Sequence, residues 1–197
     1  GAGGYLAYPR LGSDASFVPL STTNGTTVVT RVEQSDIIAA VARVSPAVVT
    51  ITSRAAEGDL VATDPFSLPA TGVGSGIIFN GDQGLVLTAR HVVCGADALT
   101  VKLLDGREFP ASTYGIDTLT DLAIVRIDNH GEDLPVARVG DSSALQAGQV
   151  AVAIGSPLGT YTNSVTSGVI SATGRDVPVT ERCGTGGDRI LRGLIQT

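Results

Sequence analysis

The chain has 197 residues, 43% of them hydrophobic and 16% charged, with 25 glycines and a formal net charge of −6. That length suits one large domain or two small ones, and the composition is that of a β-rich globular protein without low-complexity mass. Basic residues scattered along an acidic chain exclude a nucleic-acid footprint and a basic membrane-binding stripe, and no apolar run reaches the length of a membrane span. There is no methionine and no signal-peptide pattern, so the chain is expected to be a mature, processed or excised segment.

Residues 1–30 carry Gly, Ala, Ser and Thr without a sustained period and read as an extended N-terminal arm, with Tyr5, Tyr8 and Phe17 its aromatics. Residues 31–44 predict a short helix: Ser35 or Asp36 stands as a cap, Ile37, Ile38, Val41 and Val44 follow at helical spacing, and Pro46 ends it. Short β-branched runs come next, at Ala47–Thr52, Gly74–Phe79, Leu85–Ala89, Ala98–Leu104, Glu108–Tyr114 and Leu122–Ile127. Asn80-Gly81-Asp82, Asp105-Gly106 and Asp128-Asn129-His130-Gly131 punctuate them as turns, with Asp105-Gly106 reading as a two-residue hairpin. Glu57–Thr71, broken by Pro65 and Pro69, reads as a surface loop. Six short strands with tight turns predict a closed antiparallel barrel over residues 31–131, which also removes the sheet edges.

From residue 132 a second set begins: Val136–Val139, Gln149–Ile154, Ser164–Ala172 and Ile190–Gln196, with Val177–Arg189 a long Gly- and Pro-punctuated loop. Four strands are fewer than a second barrel of the first kind needs. Val150, Val152, Ile154, Val169 and Leu194 are therefore expected to want partners from another polypeptide segment, and residues 1–197 alone are not expected to make a stable monomer.

The candidate site residues are His91, in Thr88-Ala89-Arg90-His91-Val92-Val93, and Asp121, in Thr120-Asp121-Leu122-Ala123-Ile124-Val125. Each sits at an end of an apolar run, where a rigid strand hands a polar side chain to a cleft. A lone His or Asp in such a place is more often structural. The pair in this order, however, is the base half of a serine-protease triad, for which His, Asp, Ser is one known chain order. The other histidine, His130, reads as an exposed turn residue without a role.

The surroundings carry a resemblance. Gly84-Leu85-Val86-Leu87-Thr88-Ala89-Arg90-His91-Val92-Val93 resembles the strand and short helical turn that carry the catalytic His of trypsin-like proteases, Gly72-Val73-Gly74-Ser75-Gly76-Ile77-Ile78 resembles their preceding strand, and Thr120-Asp121-Leu122-Ala123-Ile124 resembles their Asp turn. More narrowly, four further segments are similar in order to the HtrA (Deg) family: Val44-Ser45-Pro46-Ala47-Val48-Val49, Ala153-Ile154-Gly155-Ser156-Pro157-Leu158-Gly159, Ser164–Ala172 with Gly174-Arg175, and Leu194-Ile195-Gln196-Thr197. The resemblance covers roughly residues 31–197. It implies an all-β fold of two antiparallel six-stranded β-barrels, the second incomplete over residues 132–197. It also implies ATP-independent endoproteolysis of unfolded or exported polypeptides, with His91 as base and Asp121 as its orienter. Neither a cofactor nor a metal enters, since His91, Cys94 and Cys183 lack a fourth good ligand.

The family's Gly-Asn-Ser-Gly-Gly nucleophile loop is not in these residues. Ser75 lies in a first-barrel strand and Ser156 precedes Pro157 in a turn, so neither replaces it. Two alternatives stay open: a non-catalytic chaperone or binding module on the same fold, and a variant with a cysteine nucleophile. Arg90 stands where the family more often has a small residue or Asn. Cys94 and Cys183 either pair or remain as a buried and a surface thiol. By resemblance the partners are polypeptide substrates, a segment completing the barrel, further copies of the chain in a trimer contacted through Tyr5, Tyr8 and Phe17, and a PDZ domain. The expected location is the cell envelope, periplasmic or extracellular.

Overall fold

The computed structural model describes residues 34–55, 71–156, 164–180 and 188–197. The arm expected over residues 1–30, the surface loop between 56 and 70, and Cys183 lie outside the described residues. The helix α1 spans Gln34–Val44. Ser35 and Asp36 lie within its first turn, where Asp36 complements the helix dipole, rather than ahead of it as caps. A 3₁₀ turn, Ser45–Ala47, follows with Pro46 in its opening positions, where a missing N–H costs nothing. It shifts the start of the first strand from Ala47 to Val48.

Six strands close into an antiparallel barrel in the order β1-β2-β3-β6-β5-β4. They are β1 (Val48–Arg54), β2 (Thr71–Asn80), β3 (Leu85–Ala89), β4 (Ala98–Lys102), β5 (Glu108–Asp117) and β6 (Leu122–Ile127). Every strand has a partner on both sides, so no edge is left open. The alternation read from the sequence fills the interior: Val49, Ile51, Ile78, Val86, Val101 and Val125 are fully buried, joined by Leu99, Phe109 and Ile127. Each such side chain contributes roughly 1.5–3 kcal/mol relative to an exposed one. Gly76 makes the packing tight, because a Cβ there would stand 2.6 Å from Val86 Cγ1 and 2.9 Å from Ile51 Cδ1.

The β4–β5 connection is longer than the two-residue hairpin expected at Asp105-Gly106. Lys102 pairs with Glu108, and inside that pair Leu103 N–H donates to Arg107 C=O at 2.9 Å. Asp105 sits in a tight turn closed by Gly106 N–H to Leu103 C=O at 3.1 Å, and its carboxylate accepts from the Arg107 N–H and guanidinium.

Beyond the barrel, β7 (Val150–Gly155) pairs with β8 (Ser164–Val169), and β9 (Ala172–Thr180) with β10 (Asp188–Gln196), as two antiparallel hairpins. Three readings change here, the first being that the strand read at Ser164–Ala172 stops at Val169, with Ala172 opening β9. Val136–Val139 is not a strand: Pro135 has no N–H to give a ladder, Val139 is 84% exposed, and the segment is held to β2 by the Ala137 N–H to Ile78 C=O bond. Residues 177–180, read as the start of a long loop, belong to β9, where Val177 pairs with Leu191 and Pro178 with Ile190. A buried polar contact joins β7 to the barrel: Ser156 N–H donates to Ser75 Oγ at 2.8 Å, and Ser156 Oγ lies 2.7 Å from Thr50 Oγ1.

Candidate active site

Register explains why two residues so far apart in sequence meet. In the β3–β6 ladder Ala89 pairs with Leu122, so the end of one strand and the start of the other fall at the same rim of the barrel. The chain leaves β3 into a single helical turn, α2 (Arg90–Val93), and enters β6 from a turn that ends in Asp121. Arg90 N–H donates to the Asp121 backbone carbonyl at 2.7 Å, tying the two turns together. The sheet below is pinned by buried Thr88, whose hydroxyl donates to Ser75 C=O at 2.8 Å.

The α2 turn is seated by Val92 and Val93. Val93 is buried in the core, and Val92 packs where a Cβ on Gly74 would come within 2.5 Å of its methyl. Glycine at position 74 thus leaves the room that lets the turn carrying His91 lie flat on β2. Asp121 adopts φ 61°, the left-handed region that Asp tolerates better than most non-glycine residues. Ahead of it, the Asp117 carboxylate accepts from Thr120 Oγ1 at 2.7 Å and from Leu119 N–H at 2.8 Å. These two bonds, the hydroxyl first, hold the Asp117 carboxyl below its ordinary value.

The side chains of His91 and Asp121 are brought together, with Nδ1 2.7 Å from Oδ2. A carboxylate only accepts, so Nδ1 carries the proton and donates it, which leaves the Nε2 lone pair free to take another. His91 is 54% exposed and Asp121 15%, so the imidazole is open to solvent while the carboxylate is shielded. That arrangement accepts a proton at Nε2 and stabilises the imidazolium that results.

Sequence reasoning missed Arg189. From β10 its Nη2 donates to Asp121 Oδ1 at 3.1 Å and its Nη1 to the Thr118 carbonyl. No periodicity could have signalled it, because its partners lie about seventy residues earlier and its position fell in the segment read as a loop. His130 sits at a turn with φ 49°, exposed beside Asp128. The hydroxyls of Ser75 and Ser156 are engaged in the contact between β7 and the barrel. Cys94 is disulfide-bonded.

One hollow borders His91, and a second lies beside the turn that carries Asp121. One, about 310 Å³, is lined by His91, Val92, Cys94, Ser53 and Gly72 among others. The second, about 490 Å³ and largely apolar, is lined by the neighbours of Asp121 in sequence, Thr120 and Leu122, with Leu119 and four β10 residues including Ile190 and Leu194.

Residues 74–197 match the model of the trypsin-like peptidase domain family. A Synechocystis protein named as the serine protease HhoA is 42% identical over 159 residues, 72% of this chain and 40% of that protein. A Marinomonas protein named as a DegP-like periplasmic serine endoprotease is 48% identical over 106 residues, 54% of this chain and 22% of that protein. A solved structure of the HtrA-type protease AlgW with a tripeptide superposes with a TM-score of 0.59 at 34% identity, covering 77% of this chain and 48% of that one. The chain thus spans less than half the length of these relatives.

Proposed function

We infer the function from this premise: the chain belongs to the family of trypsin-like peptidase domains, among the HtrA/DegP-type serine proteases. The protein is proposed to be an ATP-independent serine endopeptidase that cleaves unfolded or exported polypeptides in the cell envelope. The observation that carries this reading is the 2.7 Å contact from His91 Nδ1 to Asp121 Oδ2 with the other face of the imidazole exposed.

In the proposed reaction His91 Nε2 takes the proton of a serine hydroxyl as it attacks the scissile carbonyl, then returns it to the leaving amine. Asp121 holds the tautomer and stabilises the imidazolium without taking the proton. The serine is proposed to lie outside these 197 residues, since the relatives are longer and are serine proteases by name. The same polypeptide would complete a second barrel on the β7–β10 hairpins. Assembly into a trimer and a PDZ domain belong to the same proposal, as implied by the resemblance to the HtrA (Deg) family.

A test treats the full-length protein with a serine-directed phosphonylating reagent and maps the adduct by peptide mass. An adduct on a serine, lost in His91→Ala, together with cleavage of casein, is the expected outcome. An adduct on a cysteine would assign the cysteine-nucleophile variant. No adduct and no cleavage would leave the non-catalytic binding module as the better account.

A further inference from the structure

We propose that Arg189 is a positioning residue for the same reaction, fixing the carboxylate of Asp121 so that one oxygen always faces His91. This rests on the endopeptidase reading above.

An aspartate held through one oxygen can still rotate about its terminal torsion, which is broad for a carboxylate. Here both oxygens are taken, Oδ2 by His91 and Oδ1 by Arg189. Arg189 also grips the carbonyl of Thr118, three residues before Asp121. Side chain and turn backbone are therefore bound to one rigid plane, from two adjacent nitrogens of the fork. Lysine, a point charge on a flexible stem, reproduces the charge but not that two-acceptor geometry.

The turn needs such support. Its last residue lies at positive φ, a conformation that persists where surrounding contacts over-determine it. The barrel supplies one restraint, the Arg90 N–H bond to the Asp121 carbonyl. Arg189 supplies another from outside the barrel, since β10 pairs with β9 and Arg189 is opposite Val179. The ion pair is largely shielded, with Arg189 20% and Asp121 15% exposed. Removing one partner would leave the other charge poorly solvated and free to reorient. The hairpin thereby reaches back to set the geometry of a pair that both originates and is anchored in the first barrel.

The test uses the full-length protein, with rates on fluorescein-labelled casein expressed per active site titrated with the phosphonylating reagent. Arg189→Ala is expected to lower kcat about tenfold with KM within about twofold, as for a misplaced catalytic group. Arg189→Lys should recover part of the rate. The far-downfield proton resonance of the His91 Nδ1–H should shift or broaden in Arg189→Ala. Unchanged kcat per titrated site and an unchanged resonance would overturn the proposal, even if the variant unfolds more easily, because that is the mark of a merely structural ion pair. A rise in kcat would overturn it as well, by making the guanidinium a restraint on the pair. A parent protein that is neither phosphonylated nor cleaves casein would overturn the endopeptidase reading and this proposal together, whereas an active parent with an indifferent variant would sink only the role of Arg189.

Discussion

The closed barrel and the two hairpins that follow it are built from similar residues and end up in different physical states. Around the barrel every strand is paired on both sides, and Val49, Ile51, Ile78, Val86, Val101 and Val125 are wholly buried. Among the described residues each hairpin strand has one ladder, and Val150, Val165, Val169, Val177, Ile190 and Ile195 remain exposed. A β-sheet becomes a rigid frame when its apolar face is covered and its edges are satisfied, and only the first region meets both conditions here. The barrel can therefore hold two polar side chains at its rim by its own packing. The hairpins contribute single contacts to that rim, of which Arg189 is the clearest.

If the rim carries the chemistry and the interior carries the stability, substitutions in the two places must have opposite signatures. His91→Ala is expected to reduce kcat by about 10⁴–10⁶-fold, the range seen when a base is removed from a triad. Its unfolding midpoint should stay that of the parent, because the side chain is half exposed and packs little. A variant that unfolds readily would mean that the His91–Asp121 contact holds the barrel rim together.

The interior gives the next largest effect. Ile51→Ala should destabilise the protein by about 2–5 kcal/mol through lost burial and the cavity left behind. Ile190→Ala, at a residue 51% exposed in these residues, should cost less than about 1 kcal/mol unless the polypeptide proposed to complete the second barrel lies over it. Denaturant unfolding of the full-length variants compares the two. If Ile190→Ala costs as much as Ile51→Ala, polypeptide outside these residues covers the β10 face, and the contrast between the regions belongs to this segment alone.

The same contrast decided what was legible in the sequence. The six barrel strands announced themselves because alternation is written only where one face is buried, as in Leu99 and Val101 of β4. The pairing of His91 with Asp121 was legible from their order and from the resemblance of the segments around them, His91 standing just after β3 and Asp121 just before β6. The strand β9 was missed because nearly all of it is exposed and no face needed to be apolar. Its Pro178 looked like a breaker, yet a strand with a single partner leaves one side free for a residue without an N–H. Val136–Val139 failed in the opposite sense, with β-branched residues that have propensity but form only one backbone bond to β2, from Ala137 N–H to Ile78 C=O, and no ladder. Arg189 was illegible because a long polar side chain reaching across space leaves no period behind it.

The smallest effect separates the two regions by acid. Asp117, on the turn that leads to Asp121, and Asp141, ahead of the hairpins, each have a carboxyl held below its ordinary value. For Asp117 the Thr120 hydroxyl is the main cause, followed by the Leu119 N–H; for Asp141 it is the Ser143 hydroxyl, followed by its N–H. A carboxyl of this kind contributes stability that is fully present above its unfolded value, near 3.8, and is lost as pH falls through the lower folded value. Protection of the Leu119 and Ser143 amides against hydrogen exchange should therefore fade as pH drops below that point. Asp117→Asn and Asp141→Asn should each abolish the fading at their own turn, since an amide keeps an acceptor but does not titrate. The two turns differ in one respect, because the positive charge of Arg189 also lowers Asp117, as the last of its causes. Arg189→Gln removes a lowering influence, so protection at Leu119 should be lost at a slightly higher pH while that at Ser143 is unmoved. Equal displacement at both turns would mean that Arg189 acts on the protein as a whole, and its tie to the Asp121 turn would lose its special standing.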